Sequence, residues 1–271
     1  MTQIFSISNQ KGGVGKTTTA VNLSASLAAA EYSTLLVDLD PQGNSCSGLG
    51  IQKNQFTKSV YHVLIDQAQF SDIILPTDLD FLWIAPSNSD LVAADIELVS
   101  KFSREYKLKT ALKLVKEKYD FVIIDCPPSL NLLTVNALSA ADSVIVPVQC
   151  EYYALEGLSD LLKTINLIRD HLNPSLEIEG ILLTMFDARN NLAHQVSQEI
   201  RKYFPEKIFK SVVPRNVKLG ESPSHGKPIL LYDIRSKGAL AYLDLAQEII
   251  LRYQKINVNN EIINEHSVLA S

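Results

Sequence analysis

The chain contains 271 residues, of which 46% are hydrophobic and 20% are charged, and it carries a net charge of −5 with a pI of about 5.6. This composition is typical of a globular protein and excludes a disordered or fibrous chain. No apolar run approaches the roughly 18 residues that a membrane span needs, and the acidic balance argues against a large nucleic-acid surface.

Strand and helix patterns alternate along almost the whole chain. Short apolar runs predict strands at 4–7, 35–37, 81–84, 121–124, 144–146 and 178–184. Longer stretches with core spacing predict helices at 17–29, 91–98, 104–118, 154–171, 193–203 and 238–255, and a Gly/Ser-rich loop is expected at 41–50. The alternation predicts an α/β fold, in which a mostly parallel twisted sheet has helices on both faces. Because no linker interrupts residues 1–255, we expect one domain, followed by a polar, flexible tail at 256–271.

The strongest motif lies between the first strand and the first helix, and it reads Lys11-Gly12-Gly13-Val14-Gly15-Lys16-Thr17-Thr18. Glycines in such a turn let backbone N–H groups converge on a phosphate, and the helix N-terminus adds a partial positive charge. Lys16 then reaches the β- and γ-phosphates, and the Thr17 hydroxyl is suited to Mg²⁺. Gln10 stands where the standard P-loop has glycine, and Lys11 is an additional lysine. The motif predicts a single-domain P-loop NTPase.

Carboxylates follow two of the predicted buried strands. Asp38 and Asp40 come at the end of the second strand, and Asp125 comes at the end of 121–124. Parallel strands deliver such residues to the carboxyl edge of the sheet, where they can hold Mg²⁺ or orient the attacking water. An aspartate at a strand end can also simply cap the following turn. The position beside a P-loop favours the functional interpretation for Asp40 and Asp125 over Asp38.

Several motifs in order resemble the ParA/MinD superfamily of deviant Walker-type ATPases. The P-loop and the run Asp38-x-Asp40-Pro41-Gln42-Gly43-Asn44 carry this resemblance. Four later runs are similar to the ParA/Soj branch, namely Cys150-Glu151-Tyr152-Tyr153-Ala154-Leu155-Glu156-Gly157, Leu183-Thr184-Met185-Phe186-Asp187-Ala188-Arg189, Pro214-Arg215-Asn216-Val217-Lys218 and Pro223-Ser224-His225-Gly226-Lys227-Pro228. The likeness covers about residues 1–255. It implies an ATP-hydrolysing chromosome or plasmid partitioning protein that uses ATP and Mg²⁺.

The resemblance implies roles for individual residues. Lys11 matches the signature lysine, which reaches the partner's ATP in a nucleotide-sandwich homodimer, so Lys11, Lys16 and Asp40 are the catalytic candidates. Thr17, Asp40 and Asp125 are the implied Mg²⁺ residues. The implied adenine contacts are Met185, Pro214 and Asn216.

The resemblance further implies non-specific binding of double-stranded DNA by the ATP dimer, on basic residues of the C-terminal half. The candidates are Arg189, Arg215, Lys218, Lys227, Arg235 and Lys237. Phosphate contacts of this kind are electrostatic and independent of sequence, although lone surface charges are often merely solvated. A ParB-type centromere-binding partner is expected to stimulate hydrolysis and return the protein to the monomer. The expected location is the cytoplasm, on the nucleoid.

Other functions of the same superfamily remain as alternatives. A MinD-like positioning ATPase needs a basic amphipathic C-terminal helix for the membrane, yet residues 256–271 contain no Lys or Arg. An Fe–S or metal-transfer ATPase needs paired cysteines, whereas Cys46, Cys126 and Cys150 stand far apart. Cysteines paired across a dimer axis would still permit it. The fold alone would also allow an ATP-dependent ligase.

Overall fold

The computed structural model describes the backbone of residues 2–269 and the side chains of residues 2–254. The strands are β1 (Gln3–Ile7), β2 (Thr34–Asp38), β3 (Leu75–Pro76), β4 (Leu82–Ala85), β5 (Phe121–Asp125), β6 (Ser143–Gln149), β7 (Glu177–Phe186) and β8 (Ile208–Pro214). They form one sheet in the order β3-β4-β2-β5-β1-β6-β7-β8. The β3–β4 pair is antiparallel, and the other pairs in this order are parallel.

Helices cover both faces of this sheet. They are α1 (Lys16–Ala29), α2 (Asn44–Gly48), α3 (Val60–Leu64), α4 (Leu91–Glu97), α5 (Lys107–Leu112), α6 (Leu132–Ala140), α7 (Ala154–His171), α8 (Asn191–Tyr203), α9 (Val217–Glu221), α10 (Ile229–Tyr232) and α11 (Lys237–Leu269). One apolar cluster joins the sheet to α3–α8, and a second joins its other face to α1, α10 and α11. The predicted α/β fold is confirmed.

The central strands explain where the site lies. β1 pairs with β5 and β6, and β2 pairs with β5, so that Ile7 and Asp38 both stand opposite Asp125. The side chains of β5 are buried along its whole length, as expected for a strand covered on both faces. The loops that follow β1, β2 and β5 therefore emerge side by side at one edge of the sheet.

The predicted helix at 104–118 is wrong as a continuous element. The segment consists of a 3₁₀ turn at Arg104–Tyr106, helix α5 and a second turn at Lys116–Lys118. The Asn136 amide of α6 is inserted into the backbone ladder, because it accepts from Leu108 N–H at 3.1 Å and donates to Arg104 C=O at 2.8 Å. These two groups would bond each other in a regular helix.

Other element boundaries also differ from the sequence prediction. The expected loop at 41–50 contains α2, whose Cys46 N–H donates to the Asp38 carboxylate at 3.1 Å. Strand β8 and helix α6 were not predicted, and α11 continues to Leu269 instead of ending at residue 255. The flexible tail at 256–271 stays a prediction, since its side chains and last two residues lie outside the described part. Within residues 2–269, no helix has the length and apolarity needed to cross a bilayer.

Gly180 in β7 permits the close packing of the two last strands. The β6–β7 register shifts just before it, and a Cβ atom at this position would stand 2.5 Å from Cε2 of Phe209 in β8. The Phe209 ring is fully buried and is held on another side by the Arg252 guanidinium, 4.7 Å from the ring centroid. The ring therefore has little room to yield.

We expect Gly180→Ala to lower the free energy of unfolding by about 1–3 kcal/mol, because the added methyl overpacks the core against Phe209. Chemical denaturation followed by circular dichroism measures the effect. Gly157→Ala is the matched control, since a Cβ there meets nothing within 4 Å in helix α7. That control should be neutral or stabilising by up to about 1 kcal/mol. Equal stability of the two variants would contradict the packing role of Gly180.

Candidate functional site

The P-loop wraps around the N-terminus of α1. Gly13 and Gly15 have φ of 72° and 88°, in the left-handed region that glycine adopts without strain. Gly15 is the residue that precedes α1, so the turn presents the helix N-terminus to a cavity of about 430 Å³. The lining of this cavity comprises Gly12, Gly13, Gly15, Lys16, Thr17, Thr18, Asp40, Gln42, Pro128 and Met185. The cavity is therefore suited to an anion, because the glycine turn and the helix N-terminus both face it.

Lys16 lies in the wall of this cavity. It is buried, and its Nζ donates to the Lys11 carbonyl at 2.9 Å across the loop. Burial lowers the pKa of the Lys16 ammonium, while the charges of Asp125 and Asp40 act in the opposite direction. A phosphate oxygen can replace the Lys11 carbonyl as acceptor, and it would supply the negative charge that a buried ammonium favours.

Asp125 has the properties of a ligand for metal-bound water. Its Oδ2 accepts from the Ser45 hydroxyl at 2.8 Å, whereas its buried Oδ1 has no hydrogen-bond partner among the described residues. Burial, followed by the nearby charge of Asp38, raises the pKa of Asp125, and the hydrogen bond from Ser45 opposes this shift. An orphaned carboxylate oxygen next to a threonine hydroxyl fits Mg²⁺, which keeps waters and takes few protein ligands.

Asp40 and Asp38 have different surroundings. Asp40 lines the phosphate cavity, and its Oδ1 accepts from Gln42 N–H at 2.9 Å, which fixes the carboxylate at the cavity wall. Asp38 is fully buried, and its two oxygens accept from the backbone N–H groups of Asp40 and Cys46. Burial raises the pKa of Asp38 to about 6. Asp38 thus holds the loop that carries Asp40, which is the capping role that the sequence left open.

A second cavity of about 500 Å³ adjoins the first, and Gly15, Thr18 and Met185 line both. Met185 and Pro214 give it apolar walls, as a purine base requires, and Met185 is held at φ 47°, in the left-handed region. Such a strained residue often marks a functional position. Asn216 caps α9 by accepting Lys218 N–H at 2.9 Å, so the amino side of its amide remains to donate to a base. All three sequence candidates meet in this cavity.

Lys11 is oriented differently from Lys16. Its Nζ forms an ion pair with Glu151 Oε2 at 2.9 Å, at the start of the loop that leads into α7. Both side chains are partly exposed, and an ion pair of this kind contributes little to stability. The Lys11 ammonium therefore stands at the molecular surface, where another molecule can reach it.

The six basic candidates are all exposed but not equivalent. Arg189 is paired through two nitrogens with Asp187, both at 3.0 Å, and this holds the pKa of Asp187 near 2. Lys218 is paired with Glu221 at 3.1 Å. Within residues 2–254, no ion pair involves the side chains of the other four, which are Arg215, Lys227, Arg235 and Lys237.

The structure adds residues that the sequence did not reveal. Ser45 on α2 bonds Asp125, and the Thr184 hydroxyl donates to the Val14 carbonyl of the P-loop at 2.7 Å. Ser45 lies in a run of small polar residues, so no spacing distinguished it from its neighbours.

The three cysteines are buried thiols. A cluster shared across a dimer axis needs exposed cysteines, so this geometry does not favour an Fe–S site.

Comparisons with known proteins identify the family. A protein-family model described as an AAA domain matches residues 2–178. The chain is 60% identical over 249 residues to the sporulation initiation inhibitor protein Soj of Bacillus subtilis, covering 92% of this chain and 98% of that protein. It is 57% identical over 250 residues to the chromosome partitioning protein ParA of Myxococcus xanthus, covering 92% of this chain and 88% of that protein.

A solved structure from a differently named protein shares the fold. The cobyrinic acid a,c-diamide synthase of Mycobacterium smegmatis, with bound ADP and magnesium, is 37% identical with a TM-score of 0.82, covering 94% of this chain and 96% of that one. Its identity to this chain is well below that of the two partitioning relatives. The chain belongs to the Soj/ParA family of chromosome-partitioning ATPases.

Proposed function

We propose that this chain is an ATP-driven DNA-partitioning switch, in which ATP closes a homodimer, the dimer binds DNA, and hydrolysis releases both. The observation that carries the proposal is the separation of the two P-loop lysines. Lys16 faces its own phosphate cavity, whereas the Lys11 ammonium stands at the surface on Glu151. A lysine in that position is suited to reach the phosphates of a second copy.

The residues divide the chemistry among them. Lys16 and the P-loop N–H groups bind the β- and γ-phosphates, and Asp40 orients the attacking water at the open side of the cavity. Thr17 would hold Mg²⁺, with Asp40 and Asp125 acting through water, and the ion would supply positive charge against the charge that develops on the phosphates. Met185, Pro214 and Asn216 hold the adenine. The ATPase domain comprises residues 1–255, and the polar segment 256–271 lies outside it as a tail.

DNA binding belongs to the dimer, because two copies present two basic patches to one duplex and gain by multivalency. This also fits the acidic net charge, since only local patches touch phosphate. A ParB-type partner accelerates hydrolysis and restores the monomer. The protein acts in the cytoplasm on the nucleoid.

The other functions have weaker support. An ATP-dependent ligase needs a second substrate site beside the phosphate cavity, and the residues described above are suited only to nucleotide and metal. No feature described above favours a MinD-like membrane function, and the three buried cysteines do not favour an Fe–S function.

Asp40→Asn separates nucleotide binding from hydrolysis. The amide keeps the acceptor for Gln42 N–H but loses the charge that orients water, so ATP turnover should fall about a hundredfold or more while ATP is still bound. Phosphate release and equilibrium ATP binding are the measurements, with Asp160→Asn on the surface of α7 as the control. Turnover like that of the wild type would remove Asp40 from its role.

Lys11→Ala tests the shared site. Removal of a charged contact to the partner's phosphates should weaken the ATP-dependent dimer at least about tenfold, with the fold and the monomer's ATP affinity retained. Light scattering with ATP and with ADP measures the change. Lys163→Ala, which also removes a surface ion pair, should dimerise normally. Unchanged dimerisation of the Lys11 variant would argue against the contact across the dimer.

The DNA surface is tested at two cations that form no ion pair with the side chains of residues 2–254. Replacing both Arg235 and Lys237 with alanine should weaken DNA binding by the ATP dimer about tenfold or more and reduce the salt slope by about two. The double variant Lys113→Ala, Lys118→Ala removes the same charge elsewhere and serves as control. Affinity measured at several salt concentrations, with unrelated duplexes, is the readout. Equal losses in both variants would point to net charge instead of a defined patch.

A further inference from the structure

The cations proposed for DNA contact differ in whether a carboxylate of the same chain already holds them. Arg189 donates to Asp187 from two nitrogens, Nε to Oδ1 and Nη2 to Oδ2, both at 3.0 Å. A guanidinium binds phosphate with the same fork geometry. The hydrogen bonds from Arg189 lower the pKa of Asp187 to about 2, and the nearby charge of Arg215 adds to this. One carboxylate therefore acts on two of the six cations.

Lys218 is held by a second carboxylate and by an aromatic ring. Its Nζ lies 3.1 Å from Glu221 Oε2 and 5.4 Å from the centroid of the Tyr232 ring. The Tyr232 hydroxyl donates to the same Glu221 oxygen at 3.1 Å, which fixes the carboxylate beside the lysine. Asp233 also lies near Lys218 but forms no ion pair with the side chains of residues 2–254. Glu221 is thus the carboxylate that Lys218 must leave in order to bind a phosphate.

Both ion pairs lie on segments that contribute to the cavity proposed for the base. Glu221 lines this cavity of about 500 Å³, and Asp187 comes two residues after Met185, which lines it as well. The paired side chains are not buried, with exposed fractions from 30% for Asp187 to 89% for Arg189. Because exposed ion pairs are weak, a DNA phosphate can replace either carboxylate.

We propose that Asp187 and Glu221 take the place of DNA phosphates in the monomer and thereby keep a single basic patch too weak to hold DNA. The inference rests on the proposed function, because it names the regulation of the same DNA surface. Each paired cation must exchange a carboxylate for a phosphate, so part of the new contact is offset by the contact that it replaces. Two patches of the ATP dimer act on one duplex and overcome this offset. After hydrolysis the carboxylates bind the cations again, and the separated monomers leave the DNA.

Amide substitutions test the two carboxylates, because they remove the charge and keep the shape. Asp187→Asn and Glu221→Gln should each tighten DNA binding by the nucleotide-free protein about three- to fivefold. The gain should be larger with a non-hydrolysable ATP analogue, since two patches then contribute. Each variant should also steepen the salt dependence, because the patch brings one more net positive charge to the phosphates. Fluorescence anisotropy of a labelled duplex at several salt concentrations is the measurement.

The matched control is Asp160→Asn, which removes the same charge from another exposed ion pair, on α7. It should change DNA affinity less than about twofold, because it frees no cation of the proposed patch. Gains for Asp187→Asn and Glu221→Gln no larger than this control, in a wild-type background that binds DNA with the ATP analogue, would overturn the inference alone. A wild-type protein that dimerises with the analogue but does not bind DNA would overturn the proposed DNA function together with the inference.

A double-mutant cycle tests whether Glu221 acts through Lys218. The gain from Glu221→Gln should fall below about twofold in the Lys218→Ala background, because no ion pair remains to be exchanged there. Equal gains with and without Lys218 would show that Glu221 acts only by general charge repulsion, and this result would also overturn the inference.

Discussion

The confinement of one lysine among three buried carboxylates is the constraint on which the site depends. Lys16 lies near Asp125 and Asp40, and Asp38 lies near Asp125. All four side chains are buried. A single ammonium cannot balance three carboxylates, and burial together with their mutual repulsion raises the pKa values of Asp125 and Asp38. The site is therefore organised for further charges of both signs. Asp125 Oδ1, which has no hydrogen-bond partner among the described residues, would suit a divalent cation or its bound water, and Lys16 with the helix N-terminus would suit a phosphate.

The fold and the centre of the candidate site could be predicted from the sequence because their signals are local. The P-loop, Asp40 and Asp125 each follow an apolar run, and parallel strands bring their ends to one edge whatever the details of packing. Features that depend on contacts between distant segments could not be predicted in this way. The Asn136 amide that interrupts the helix at 104–118 belongs to another helix. Ser45 contributes to the site only because folding brings its hydroxyl to the Asp125 carboxylate. A single sequence contains no local signal for either contact.

The same limit applies to surface charge. Arg189 and Lys218 are two of the six basic residues that the resemblance suggests for DNA contact, yet both side chains are paired with neighbouring carboxylates. Ion pairs between exposed side chains are weak, so DNA phosphates can compete for the two cations. A cation that is not paired has no such interaction to break when it binds phosphate. Arg235 and Lys237, just before and at the start of α11, form no ion pair with the side chains of residues 2–254 and are thus better placed to begin an electrostatic contact. Lys11 resembles Arg189 and Lys218 in this respect. Its surface ion pair with Glu151 is weak, so a phosphate can compete with Glu151 for the Lys11 ammonium.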